Sequence, residues 1–214
     1  MTDPALVAAA AALGAVAGLA ADWLSGRWPE HEAGYSRRRP DWRTAVVTLI
    51  GAAVAAGLVV RWSEPRDLIV LAIYAAALLV LLATDLDQRL LPDLVTLPLI
   101  VYTGALLVAG WSPPLADKPL GVASAIGAAI GLPVLLFLSD RLLHGELGAG
   151  DLKLAISLGL MSGVYLMIIG LFVASIGFSI VLLALMAVRR ISLKSAVPFG
   201  PVLILGGFVA ALIA

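Results

Sequence analysis

Residues 68–83 read Leu68-Ile69-Val70-Leu71-Ala72-Ile73-Tyr74-Ala75-Ala76-Ala77-Leu78-Leu79-Val80-Leu81-Leu82-Ala83 and carry no charge. The run stops at Thr84-Asp85-Leu86-Asp87, where two carboxylates meet its apolar end. Crossing roughly 30 Å of hydrocarbon takes about 20 apolar residues as a helix, and fewer where neighbouring helices shield the span. Seven other apolar runs lie at 6–24, 45–60, 94–110, 120–138, 152–161, 165–188 and 202–214. The chain is therefore expected to be all-α: a polytopic membrane helix bundle with about eight transmembrane spans, or seven if the short sixth run merges with a neighbour. No internal repeat is visible, and eight spans leave no room for a second soluble domain. Residues 1–214 read as one membrane-embedded domain.

Composition leads to the same place. Of 214 residues, 62% are apolar and 13% charged, against about 45–50% and about 25% in soluble domains. A soluble fold of this size would expose apolar patches on every side. The absence of cysteine excludes disulfides, thiolate zinc sites, iron–sulfur clusters and a cysteine nucleophile. Basic and acidic residues balance at 14 each, so net charge gives no reason to expect nucleic acid as a partner. The expected surroundings are a lipid bilayer.

Orientation follows from the basic residues, which concentrate on the cytosolic side. The first run is preceded by Asp3 and by no Lys or Arg, the wrong charge for a secretory signal. It is read as a retained span with the amino terminus outside. The cytosolic segments then hold Arg27, Arg37, Arg38, Arg39, Arg43, Arg89, Arg141, Lys153, Arg189, Arg190 and Lys194. Only Arg61, Arg66 and Lys118 lie outside. Trp23, Trp28, Trp42, Trp62 and Trp111 fall near span ends, as an interfacial aromatic belt requires.

Charges at membrane depth need a reason. Two acidic segments abut apolar runs on the expected cytosolic face: residues 83–93 (Ala-Thr-Asp-Leu-Asp-Gln-Arg-Leu-Leu-Pro-Asp) and 145–153 (Gly-Glu-Leu-Gly-Ala-Gly-Asp-Leu-Lys). Gly148 and Gly150 permit a sharp bend and the close approach of another chain. Asp151 then opens a helix, where the dipole favours a carboxylate, whereas Asp85 closes one, where it does not. Two carboxyl groups held differently are the apparatus of aspartic proteolysis: one activates water while the other protonates the carbonyl oxygen. Taken alone, Asp151 also reads as a helix cap and Asp85 as a solvated interfacial acid.

Residues 84–99, Thr-Asp-Leu-Asp-Gln-Arg-Leu-Leu-Pro-Asp-Leu-Val-Thr-Leu-Pro-Leu, resemble the first active-site segment of bacterial type IV prepilin peptidases. Residues 146–154, Glu-Leu-Gly-Ala-Gly-Asp-Leu-Lys-Leu, resemble the GxGD signature of these intramembrane aspartyl proteases, and Pro198-Phe199-Gly200-Pro201 resembles their final-span motif. The resemblance covers about residues 67–214 and implies Asp85 and Asp151 as the catalytic pair. It implies supporting or substrate-binding positions at Asp87, Asp93, Gly148, Gly150, Glu146 and Lys153. It implies no metal and no cofactor, a prepilin or pseudopilin as partner, and residence in the bacterial inner membrane. Cleavage would remove a short basic leader after a glycine on the cytosolic face, the face reached independently by counting arginines. Many members of the family carry a cysteine-bearing zinc domain between their first two spans and also N-methylate the product. Here only a basic loop of about residues 25–43 stands in that place, so peptidase activity without methylation is expected.

In that reading Asp151 takes a proton from water and Asp85 donates to the scissile carbonyl, the two titrating as a unit. Gly148 and Gly150 offer a backbone edge to an extended substrate. Asp87, two positions on, points away from Asp85 on a regular helix, towards either a substrate leader or solvent. Asp93 reads as a cap for the fourth span and Lys153 as a residue snorkelling to lipid phosphate. Glu146 and Asp140 are placed to attract a basic leader, and His144 reads as structural or solvated. The alternative from another class is a small proton- or cation-coupled transporter using the same acids; it expects acids nearer mid-membrane.

Overall fold

A computed structural model describes residues 3–29, 40–116, 118, 120–143, 148–187 and 199–214. These residues form seven α-helices and no strand: α1 Pro4–Ser25, α2 Trp42–Arg61, α3 Pro65–Gln88, α4 Asp93–Val108, α5 Gly121–Leu143, α6 Ala149–Ala187 and α7 Gly200–Ile213. A single 3-10 turn, Pro113–Leu115, links α4 to α5. Five helices (α1, α2, α3, α5 and α6) are long and apolar enough to cross a membrane; α4 and α7 are shorter apolar helices.

The helix ends have local causes. Asp3 caps α1 by accepting from the Ala5 amide at 2.9 Å. At α2 Asp41 accepts from Arg43 N–H, while Thr44 returns a bond to the Asp41 amide, a reciprocal cap that fixes where the helix begins. Proline opens α3 and α7, where its missing N–H costs nothing.

Packing is graded rather than centred. α1 and α2 form a close pair, with Gly14 and Gly18 of α1 directly on Gly51 and the Val47 backbone of α2; small residues let helices in lipid approach this closely. α3 is the hub, touching α1, α2, α4 and α7. Its Leu71, Leu78 and Leu82 share a core with Leu154 and Leu158 of α6 and Leu203, Ile204 and Phe208 of α7. The outward faces carry Leu13, Leu49, Ile130, Phe172 and Ile180, all exposed, which is the inverse of a soluble surface. Trp23, Trp42 and Trp111 are exposed at helix ends as a belt requires. Trp62 also stands at a helix end, the C-cap of α2, where its indole N–H donates to the Ala211 carbonyl at 3.0 Å and satisfies an end group of α7.

The expected sixth and seventh runs are one element, α6, broken at Gly163 with φ 68° and ψ 178°. A continuous helix would set Leu158 and Gly170 about 18 Å apart along its axis. Instead Leu158 packs on Gly207 and Gly170 on Gly206, so the two arms flank α7 at the same level. The backbone at Gly163 occupies a region open essentially to glycine alone, and a Cβ there would lie 2.7 Å from Ser124 Oγ. Gly163→Ala is expected to cost about 1–3 kcal/mol, read as a lower thermal unfolding midpoint in detergent. Gly131→Ala, inside α5 where an added Cβ meets nothing, should hold or raise the midpoint, since alanine is the better helix former. Equal midpoints for both variants would contradict a strained break at Gly163.

Candidate active site

α3 ends in a core of leucines, and Thr84 settles its hydroxyl inside the helix by donating to the Val80 and Leu81 carbonyls, each at 3.1 Å. Asp85 follows in the last turn and is only 5% exposed. The helix stops because Arg89 adopts the left-handed conformation at φ 55° and its N–H closes onto the Asp85 carbonyl at 2.9 Å. α6 begins with Gly148 preceding it and Asp151 in its first turn. Asp151 Oδ2 accepts from the Gly148 amide at 3.3 Å, so the acid caps the helix it opens.

Two contacts bring these segments together. Gly150 sits on Leu91, whose Cβ would be 2.7 Å from a Cβ added at the glycine. Lys153 Nζ donates to Asp93 Oδ1 at 2.6 Å across the same junction. As a result Asp151 lies close enough to act coulombically on Asp85, as does the Arg89 guanidinium. Sixty-six positions apart in sequence, the two acids share one end of the bundle.

The third wall comes from α7. A Cβ at Gly200 would lie 2.7 Å from Asp85 Oδ2, 2.8 Å from its Cγ and 2.9 Å from its Oδ1. The first turn of α7 thus rests flat on the carboxyl group, an approach only glycine permits. Asp85 Oδ2 is buried with no hydrogen-bond partner among the described residues. A buried carboxyl oxygen in that state is costly in a purely structural role.

The remaining expected site residues divide. Gly150 does admit close approach of a chain, and the chain that approaches it is Leu91 of the same protein. Lys153 pairs with Asp93 rather than snorkelling. Asp93, 59% exposed along its side chain, makes no cap bond, and Pro92 holds the cap position of α4. Asp87 points away from Asp85 as expected, but not into solvent: its side chain is 1% exposed and bonds Arg43 Nη1 at 2.8 Å. Glu146, His144 and Pro198 lie outside the described residues. Gly200 and Arg43 were not among the sequence candidates, although Gly200 stood inside a quoted motif. Among the described residues no group of three or more His, Asp or Glu side chains is arranged to hold a metal ion.

The structure is thus a helix bundle with two aspartates at one end, one closing α3 and the other opening α6. Residues 72–185, more than half the chain, match the type IV leader peptidase family, and the chain belongs to it. It is 34% identical over 196 residues to the prepilin leader peptidase/N-methyltransferase of Aeromonas salmonicida, covering 89% of this chain and 63% of that protein. The protein of the same name from Aeromonas hydrophila is 33% identical over 195 residues, with the same coverage. That from Pseudomonas putida is 31% identical over 171 residues, covering 76% of this chain and 56% of the relative. The chain thus spans less than two thirds of the length of these relatives. No solved structure matches it.

The Gly200 contact is testable by non-additivity. Gly200→Ala should destabilise by about 1–3 kcal/mol through overpacking, whereas Gly200→Ala in an Asp85→Ala background should cost less than half of that, because the clash is with the carboxyl group. Equal costs in both backgrounds, measured by unfolding in detergent, would show that α7 does not rest on Asp85.

Proposed function

We propose that this chain is a membrane-embedded aspartic endopeptidase that removes the short basic leader of a type IV prepilin or pseudopilin at the cytosolic face of the bacterial inner membrane. Residues 1–214 act in this reading as one membrane-embedded unit with the amino terminus outside. The observation that supports it is that Asp85 and Asp151 lie at the same end of the bundle within coulombic reach of one another, with a carboxyl oxygen of Asp85 buried and without a hydrogen-bond partner among the described residues. A transporter using the same acids would want them along a path through the bundle; these gather at one end.

The chemistry follows from the two environments. Asp151, half-buried at the start of α6, sits in the field of a helix N-terminus and receives one amide N–H, which suits a base taking a proton from water. Asp85, enclosed by α7, is placed to hold the proton and pass it to the scissile carbonyl oxygen as the tetrahedral intermediate forms. The pair exchanges one proton between two carboxyl groups, and the roles belong to the pair as a unit. The Lys153–Asp93 ion pair and the Gly150–Leu91 contact hold the two helix ends at a fixed separation. Gly148 is exposed ahead of Asp151, where an extended leader junction can approach the base.

The same reading assigns no N-methylation to this chain. Only sixteen residues separate Ser25 from Trp42, and the chain has no cysteine with which to build a thiolate zinc domain there. The test is incubation of the purified protein with a synthetic prepilin and S-adenosylmethionine, followed by mass spectrometry of the products. The expected result is one cut after the leader glycine and a new amino terminus without an added methyl group. An uncut substrate would sink the peptidase reading, and a methylated terminus would sink the second part alone.

A further inference from the structure

The end of α3 that carries Asp85 is held from a direction the reaction does not use. α1 and α2 lie outside residues 72–185, the segment that defines the family match, although the alignments to the Aeromonas relatives run over 89% of the chain and extend beyond it. Among the described residues three polar bonds join them to one another and to the last turn of α3. Arg43 Nη1, in the first turn of α2, donates to Asp87 Oδ1 at 2.8 Å. Gln88 Nε2 donates to the Ser25 carbonyl at the end of α1, at 3.1 Å. Thr44 Oγ1 donates to Asp22 Oδ2 at 2.7 Å and ties the two helices together beside these bonds. Asp87 is 1% exposed and Arg43 30% exposed along their side chains, so the ion pair is largely out of water.

A buried ion pair is a poor way to add stability. Desolvation cancels much of the attraction, and a well-packed apolar pair of similar volume commonly does as well or better. What a charged pair adds is direction, since a guanidinium bonds a carboxylate only in a narrow set of geometries. Asp87 is two residues beyond Asp85 in the same helical turn, so fixing the Asp87 carboxylate fixes the rotation of the turn. Asp85 must be aimed at Asp151 to within a fraction of an ångström for proton transfer, and a misplacement of about 1 Å costs on the order of a hundredfold in rate.

We propose that Arg43 is a positioning residue of the peptidase: reaching across from α2, it holds Asp87 and thereby sets the orientation in which Asp85 faces Asp151. The α1–α2 pair is then part of the working enzyme rather than only a membrane anchor. This rests on the peptidase reading given above. The experiment compares wild type with Arg43→Lys, Arg43→Met and the apolar pair Arg43→Met/Asp87→Leu, measuring kcat and KM on a synthetic prepilin together with thermal unfolding in detergent. Arg43→Met is expected to lower kcat by about tenfold or more with KM changed less than about threefold, and Arg43→Lys to recover part of that loss. The apolar pair is expected to regain the unfolding midpoint of wild type while kcat stays low. Recovery of kcat together with stability in the apolar pair would show that the ion pair is merely structural and would overturn the proposal. So would an Arg43→Met enzyme with kcat within about twofold of wild type. If Arg43→Met does not fold, the apolar pair and Arg43→Lys decide the matter alone. Failure of wild type to cut the prepilin would instead remove the reading on which the proposal stands.

Discussion

A carboxyl group enclosed by apolar helices is the constraint around which this bundle is arranged. Asp85 has leucines and Thr84 behind it, Gly200 flat against its face and one oxygen without a hydrogen-bond partner among the described residues. Taking such a group out of water costs several kcal/mol unless it is paired or bonded. Nothing about packing requires an acid at this place. The fold tolerates the acid because its neighbours are fixed: α3 is stopped at Arg89, α4 starts at once, and α6 and α7 both begin beside it. Four helix ends therefore converge on one carboxyl group, and the second acid arrives with one of them.

The short and broken helices follow from that convergence. α7 must begin at Asp85 and still bury most of its surface, so it is short, highly apolar and flanked by the two arms of α6. A single uninterrupted helix of the length of α6 would overrun the hydrocarbon core; the break at Gly163 lets both arms lie along α7 instead. At the same end of the bundle α1 and α2 close the arrangement, bonded to each other through Thr44 and Asp22 and to α3 through Arg43 and Gln88.

Much of this was legible along the chain because lipid imposes a simple code. Apolar runs locate helices whatever their neighbours, and the gap between residues 161 and 165 marked the break that the structure places at Gly163. Asp85 and Asp151 stood out because an acid beside an apolar run is expensive anywhere. The contacts between helices were less visible. Along the chain Lys153 reads as a lipid-facing cation because its partner, Asp93, is sixty residues away, and an ion pair between helix ends leaves no local signature. Asp87 reads as facing leader or solvent because a helical wheel gives its direction but not what lies there, which is Arg43. Gly200 carried a usable signal in its Phe-Gly-Pro setting, whereas the packing of Gly14 and Gly18 on α2 emerges only in the structure. What no pattern supplied was which surface each glycine would meet.

The most direct measurement is cleavage of a synthetic prepilin by purified Asp85→Asn and Asp151→Asn proteins. Asparagine keeps the shape of each side chain and removes its capacity to take or give the proton. General acid–base groups contribute about a hundredfold to ten-thousandfold each. The expected result is that each variant folds and that each loses cleavage by a factor in that range. A folded variant of either residue that cuts the prepilin within about threefold of the wild-type rate would contradict the account.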